Sequence, residues 1–355
     1  MLPLLLACSA PESEPIVWKS LPGGGSVTDG GPATANGGPS VSNGDDYVAN
    51  GGTALGSDTA ADPDHCVTSG ALRDVRAYMA DGHGAELVAT GPLYGAHGAA
   101  AVQKLDASCA PVWTYHVPAG DTLWWFRLAV DAGGNVVVAG SLSASSETNA
   151  DLRTGGALFV MKLGPSGQLL WRAASPLGGR LTRIVLAPAG DIVVSGRAQD
   201  TQSGARYDMV ARYDAAGRQR WQKPFGDDHA RVADLTVDDK GAVLVAGRFS
   251  APFDFGGGLL SPVHTGSDTD TFDAFLAKYG ESGNHTWSKR FGDAETQSLD
   301  RVTVDAAGSV TVRGRGNGTI DFGGGPLQLG EDGTFGAGFD RSGNYVWSAV
   351  DPAGG

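Results

Sequence analysis

Signatures of catalysis and of metal binding are largely missing from this chain. Its seven histidines (His65, His83, His97, His116, His229, His264 and His285) show no His-x-His or His-x-x-x-His spacing, so the clustered ligands of a zinc site are absent. There is no Gly-x-Ser-x-Gly elbow, which removes the first residue of a hydrolase triad. The glycine runs at 256–258 and 323–325 neither open a helix nor precede Lys-Ser/Thr, so they read as turns or bulges and not as phosphate cradles. Basic residues are few: 26 Lys+Arg stand against 39 Asp+Glu, a net charge of −13, which argues against a nucleic-acid footprint. Three cysteines exclude a disulfide-rich scaffold. No segment keeps a helical period long enough to be read as a helix, and none is apolar for long enough to span a bilayer.

Short alternating Val/Leu runs broken by Asp/Gly turns are abundant instead, and they repeat. The fullest copy covers Val232 to Phe291: Leu235-Thr-Val-Asp-Asp-Lys-Gly-Ala-Val-Leu-Val-Ala-Gly-Arg248, then Phe275-Leu-Ala-Lys-Tyr-Gly-Glu-Ser-Gly-Asn-His-Thr-Trp287. These are two β-hairpins in series. The first hairpin recurs at 128–140, 185–196 and 302–314 with turn glycines Gly134, Gly190, Gly241 and Gly308, and a worn copy lies at 78–91. The second carries a tryptophan in all five copies, Trp113, Trp171, Trp221, Trp287 and Trp347. Four positions earlier stands Gly167, Gly217, Gly283 or Gly343, and in the first copy Cys109. A four-strand unit repeated in this way reads as a propeller blade. The predicted fold is all-β: a β-propeller of about five four-stranded blades over 66–350, each from contiguous sequence, its ring closing without a strand exchanged between termini. The five tryptophans are assigned to core and inter-blade packing.

Spacing separates the two ends of such a unit. From tryptophan to the next turn glycine (113 to 134, 171 to 190, 221 to 241, 287 to 308) the gaps are 21, 19, 20 and 21 residues. From turn glycine to the following tryptophan (134 to 171, 190 to 221, 241 to 287, 308 to 347) they are 37, 31, 46 and 39. Length varies between the second and third strands, at 92–98, 141–157, 197–208, 248–273 and 315–335, so these connections are expected to gather on one rim and form the binding face.

The amino-terminal end reads differently. Met1 to Ala7 is a short apolar run ending Leu5-Leu6-Ala7-Cys8, similar to the lipobox of bacterial lipoproteins, whose cysteine is lipidated; no Lys or Arg precedes it and it is short for a signal segment. Residues 1–8 are read as a signal remnant with Cys8 as lipidation site, against a chance cysteine. Residues 9–65, rich in Gly, Ser, Pro and Asn, bury too little surface to offset chain entropy and are read as a disordered tether. Lipid at Cys8 leaves Cys66 and Cys109 as an even pair, a disulfide candidate outside the cytoplasm, against two unpaired thiols.

The pairing of Val304-Asp-Ala-Ala-Gly308 with Phe339-Asp-Arg-Ser-Gly-Asn-Tyr-Val-Trp347, with Phe253-Asp-Phe-Gly-Gly-Gly258 and Ile320-Asp-Phe-Gly-Gly-Gly325, resembles the bacterial β-propeller-repeat (SBBP-type) family of secreted and surface lipoproteins. The likeness covers about 70–350 and implies a propeller and an exported, outer-membrane-anchored or cell-surface location, with no transferable activity; that family is usually seven-bladed. Asp214-x-x-Gly217-x-x-x-Trp221 also resembles the tryptophan-docking repeat of quinoprotein dehydrogenases, whose turns are usually one residue longer; the cofactor site of those enzymes has no counterpart here.

In the longest connection Asp268, Asp270 and Asp273 place carboxylates at nearby positions, a pattern open to Ca²⁺ but lacking the glycine and bidentate glutamate of an EF-hand; a solvated acidic loop is the alternative. No other cofactor is expected. The function expected is a surface-anchored binding or scaffold module. Its protein or glycan partner docks on the rim through Thr265, Asp268 and Asp270, and the membrane is met only through the lipid. The alternative is an exported lyase or glycan-acting propeller enzyme with its site on the same connections.

Overall fold

A computed structural model describes residues 75–351 apart from 81–85, 91–99, 119–120, 145–156, 201, 227–228 and 264–270. The fold is all-β; among the described residues the only helical piece is a 3-10 turn at Pro188–Gly190. The strands form antiparallel meanders in chain order. The first is β1 (Val75–Ala80), β2 (Glu86–Thr90), β3 (Ala101–Leu105) and β4 (Pro111–His116). A seven-stranded sheet follows: β5 (Asp121–Val130), β6 (Val136–Ala144), β7 (Ala157–Leu163), β8 (Leu169–Leu186), β9 (Ile192–Gln199), β10 (Arg206–Tyr213) and β11 (Gln219–Phe225). Its strand β8 pairs with β7 through its first half and with β9 through its second, Gly178 facing both Ala157 and Gln199, so two four-strand units are fused through one strand. The fourth unit is β12 (Ala230–Val237), β13 (Val243–Phe249), β16 (Asp273–Tyr279) and β17 (His285–Phe291), with a small hairpin β14 (Phe253–Asp254) and β15 (Leu259–Leu260) between β13 and β16. The fifth is β18 (Gln297–Val304), β19 (Val310–Asp321), β20 (Pro326–Phe339) and β21 (Tyr345–Val350).

One turn design serves both hairpins of most units. In Asp131-Ala-Gly-Gly-Asn135 the Gly134 N–H donates to the Asp131 carbonyl (2.9 Å), and Asp131 Oδ1 accepts the amides of Gly133 and Asn135 (both 2.9 Å). Asp106, Asp214, Asp238 and Asp340 accept the same two amides of their own turns. The fourth turn residue must enter the left-handed region, as Gly134 (φ 74°) and Gly217 (φ 83°) do, which a Cβ disfavours.

Successive units pack face to face. Leu87 and Val102 of the first meet Val138 and Phe159 of the second; Val137 and Val160 meet Val194 and Met209; Val193 and Phe225 meet Val245 and Phe275; Leu244 and Leu276 meet Val312 and Phe335. The middle strands of the inner units are therefore buried on both faces, as β13 and β16 are almost throughout, and each fully buried aliphatic contributes about 1.5–3 kcal/mol.

The tryptophans fasten this stack. Trp113, Trp171 and Trp221 each donate Nε1–H to a carbonyl in the third-to-fourth-strand turn of the next unit, at Pro165 (2.9 Å), Ala215 (3.0 Å) and Glu281 (2.9 Å). Their rings, and that of Trp287, lie against the turn glycines: a Cβ on Gly167, Gly217, Gly283 or Gly343 would come 2.6 to 3.0 Å from the indole. Opposite each of these four tryptophans, on the third strand, stands Lys104, Lys162, Arg212 or Lys278. Lys162 pairs with Asp131 (2.8 Å), Arg212 with Asp191 (2.8 Å) and Lys278 with Asp238 (2.9 Å), which ties the two hairpin turns of a unit together.

The fifth unit departs from this pattern. Trp347 is 43% exposed, and inter-unit packing, expected for all five tryptophans, holds for the other four. Along β19 burial alternates, Val310 and Val312 in, Thr311 and Arg313 outward, so only one face of this sheet is covered. Among the described residues, no packing comparable to that between the other neighbours joins the fifth unit to the first.

Candidate binding face

Topology brings the second-to-third-strand connections to one end of the units, and the short aspartate turns to the other. The expectation that these connections all build the rim is corrected in the fourth and fifth units. Hairpin β14–β15 folds back alongside its sheet. Tyr279, the last residue of β16, donates its hydroxyl hydrogen to the Phe255 carbonyl (2.9 Å), and a Cβ on Gly256 would come 2.8 Å from His285 Cβ. In the fifth unit the connection is an extension of β19 and β20 that turns at 322–325 and reaches Tyr345 in the same way. Both Phe-Gly-Gly-Gly segments are structural. Asp254 Oδ1 accepts the amides of Gly256 and Gly258, Asp321 Oδ1 those of Gly323 and Gly325. Phe255 and Phe322 are buried among Phe225, Phe249 and Phe275, and among Phe291, Phe335 and Phe339.

What the rim does gather is arginine. Arg180 starts the inner strand of the third unit and lies across from Arg197, which lies across from Asp208; Arg206 begins β10, and Arg231 faces Arg248 in the fourth unit. Arg248 stacks over the Phe272 ring at 4.6 Å. Burial, then the neighbouring charges of Arg231, Arg206 and Arg180, hold the pKa of Arg197 below its usual value against the pull of Asp208. In a chain of net charge −13 this is a local grouping of arginines, shared with the acids Asp200, Asp208 and Asp273 at the same end of the units. The sequence carries its signal, Gly196-Arg197, Gly247-Arg248 and Gly314-Arg315 at one position of three units, but total charge conceals it.

Of the residues singled out by sequence, Asp273 is not a loop ligand: it opens β16, buried, and its Oδ2 accepts from Arg290 and from the Val263 amide (3.0 Å). Asp268, Asp270 and Thr265 lie outside the described residues, as do Cys8, Cys66 and the tether. Among the described residues no three His, Cys, Asp or Glu side chains gather as a metal site. Cys109 is disulfide-bonded. It holds the turn position with φ 64°, where the other units use glycine.

Two buried carboxylates went unnoticed in the sequence. Asp208 Oδ2 accepts the Val232 amide (2.7 Å) and Asp234 Oδ2 the Val302 amide (3.0 Å), each on the innermost strand of the following unit. Arg183 pairs with Asp234 (3.0 Å). Burial raises both carboxyl pKa values, opposed by these amides and the nearby arginines. Such perturbation marks a functional acid only where a substrate can reach it; here both groups are clamps between units.

No family model matches the chain, and no curated protein matches it in sequence. In structure it is similar to a protein of unknown function from Bacteroides caccae (12% identity, TM-score 0.34, covering 75% of this chain and 93% of that one). It is also similar to the hydrazine synthase of Kuenenia stuttgartiensis (12%, 0.44, 78% and 83%) and to a puromycin hydrolase (13%, 0.42, 82% and 49%), of which it spans about half the length. With TM-scores this low, the likenesses assign neither activity nor ligand.

Proposed function

We propose that this chain is an exported, lipid-anchored binding module: a five-bladed propeller-type array carried on the 9–65 tether from Cys8, with the arginine-bearing rim as its docking face. The observation that carries the reading is the concentration of Arg180, Arg197, Arg206, Arg231 and Arg248 at the end where connection length varies, while the other end repeats one turn. Complementary charge gives a partner orientation and encounter rate, so a protein or glycan partner bearing negative charge fits. The disulfide at Cys109 supports an oxidising location, and Cys66 is its proposed mate.

The test screens the full chain against immobilised glycans and acidic peptides. It then replaces Thr265 to Thr271 by a short Gly-Ser turn and, separately, makes Arg206→Glu with Arg248→Glu. The charge reversal is expected to weaken binding by at least about tenfold, with the loop replacement lowering affinity further. Retained affinity in both folded variants, loss on altering the opposite turns instead, or no ligand at millimolar concentration would overturn the reading.

A further inference from the structure

The outer face of the fifth sheet is a second surface, independent of the rim. In the second, third and fourth units the residues facing forward to the next unit include Val137, Val160, Val193, Val210, Leu244 and Leu276. The fifth unit has Thr311 and Gly336 at the corresponding positions, and its outer face adds exposed Thr303, Arg313 and Thr334. No apolar face is left for a sixth sheet to cover.

Trp347 behaves accordingly. Where the other units place a lysine or arginine opposite the tryptophan, Gly338 stands opposite Trp347. The indole lies down on its own sheet: a Cβ on Gly336 would come 3.2 Å from its ring, and one on Gly338 would collide with Nε1. It also has no matching seat on the first unit. The turn that a ring-closing tryptophan would need carries Cys109 in place of glycine, and at the docked turns a Cβ would stand within 3.0 Å of the ring. One flat indole face is thus turned to solvent, on a pleated surface whose cross-strand row reads Thr303, Thr311, Gly338, Trp347, with Arg313 in the next row.

We propose that this face is a carbohydrate platform for a glycan chain bearing uronic carboxylates. An exposed indole offers its π-face to the C–H face of a pyranose ring, threonine hydroxyls exchange hydrogen bonds with ring hydroxyls, and the guanidinium of Arg313, 69% exposed beside Asp351 at 3.8 Å, recognises a carboxylate by charge and by its fork of donors. A membrane or an amphipathic peptide would ask for a cluster of apolar side chains, and this face has a single indole.

The test titrates the full chain carrying Arg206→Glu and Arg248→Glu, so that the rim does not contribute, with a hexaguluronate, with maltohexaose and with hexaglutamate, reading tryptophan fluorescence and calorimetry. Hexaguluronate is expected to bind more tightly than maltohexaose, and hexaglutamate not at all. Trp347→Ala should lower hexaguluronate affinity by about tenfold or more with little change in thermal midpoint, since Trp347 fastens no other unit. Trp347→Phe should keep part of the affinity, and Arg313→Ala should erase the preference for the acidic sugar. No binding of either sugar at millimolar concentration, unchanged binding in Trp347→Ala, or hexaglutamate bound as tightly as the sugar would overturn the proposal. If Trp347→Ala does not fold, unchanged affinity in both Trp347→Phe and Arg313→Ala would overturn it. The rim variants should leave this binding intact.

Discussion

Gly217→Ala separates two reasons for a glycine at the docked turns. Its φ of 83° disfavours any Cβ, by about 1–2 kcal/mol for a left-handed alanine. Its added methyl would also stand 2.6 Å from Cε3 of Trp171, so the indole must leave the turn and give up the 3.0 Å bond from Nε1 to the Ala215 carbonyl. Undocking forfeits much of what truncating a packed tryptophan does, about 3–5 kcal/mol, and the total expected for Gly217→Ala is about 3–5 kcal/mol. Gly134→Ala is the internal comparison: φ is 74°, but the nearest heavy atom is Pro165 Cβ at 3.8 Å, so only the backbone penalty of about 1–2 kcal/mol applies. In a Trp171→Ala background the indole is already gone, and Gly217→Ala should fall to that same value, a coupling of about 2 kcal/mol or more. Urea unfolding followed by far-UV circular dichroism measures all four chains. An equal effect of Gly217→Ala with and without Trp171, or one no greater than that of Gly134→Ala, would refute the docking account.

Lys278→Met removes the close cation from the buried Asp238 carboxylate, leaving Arg341 at 4.0 Å beside the two turn amides; the expected loss is about 3 kcal/mol, and adding Asp238→Asn should recover part of it in the same assay. Acid titration tests the turns. The amides of Gly256 and Gly258 hold Asp254 below its usual pKa, and the amide of Ser309 leads the same effect on Asp305. A depressed folded pKa gives stability that is present above the ordinary aspartate value of 3.8 and lost as pH falls through the folded value. Acid unfolding should therefore be blunted in Asp305→Asn. Asp208 and Asp234 are raised by burial and act oppositely, their contribution falling as pH rises above 3.8, so Asp208→Asn should steepen the acid loss.

The hairpins were legible because each rule is local: alternation gives the strand, an aspartate three residues before a glycine gives the turn, and both lie within five residues. Tryptophan docking was legible as packing but not in its direction, since Trp171 and Ala215 meet 44 residues apart. The amide clamps of Asp208 and Asp234 link strands 24 and 68 residues apart, and no spacing rule reports them. The fold-back of 253–260 was hidden because a glycine-rich insertion looks like a projecting loop until Phe255 is seen in the core. The one-sided fifth sheet could have been read: Val310-Thr-Val-Arg alternates where Val243-Leu-Val-Ala does not, and glycine replaces lysine at 338.

The uninterrupted strand β8 gives the array unequal mechanical joints. Between the second and third units the chain passes from outer to inner position without leaving the extended state, so a pull along it meets two ladders of hydrogen bonds in series and no slack to take up first. Between the fourth and fifth units a short non-strand segment follows Phe291. A molecule under shear would flex at that joint while the second and third units turned as one plate. A cut or an inserted sequence at 293–295 would spare the backbone ladders, whereas one at 178 would sever two.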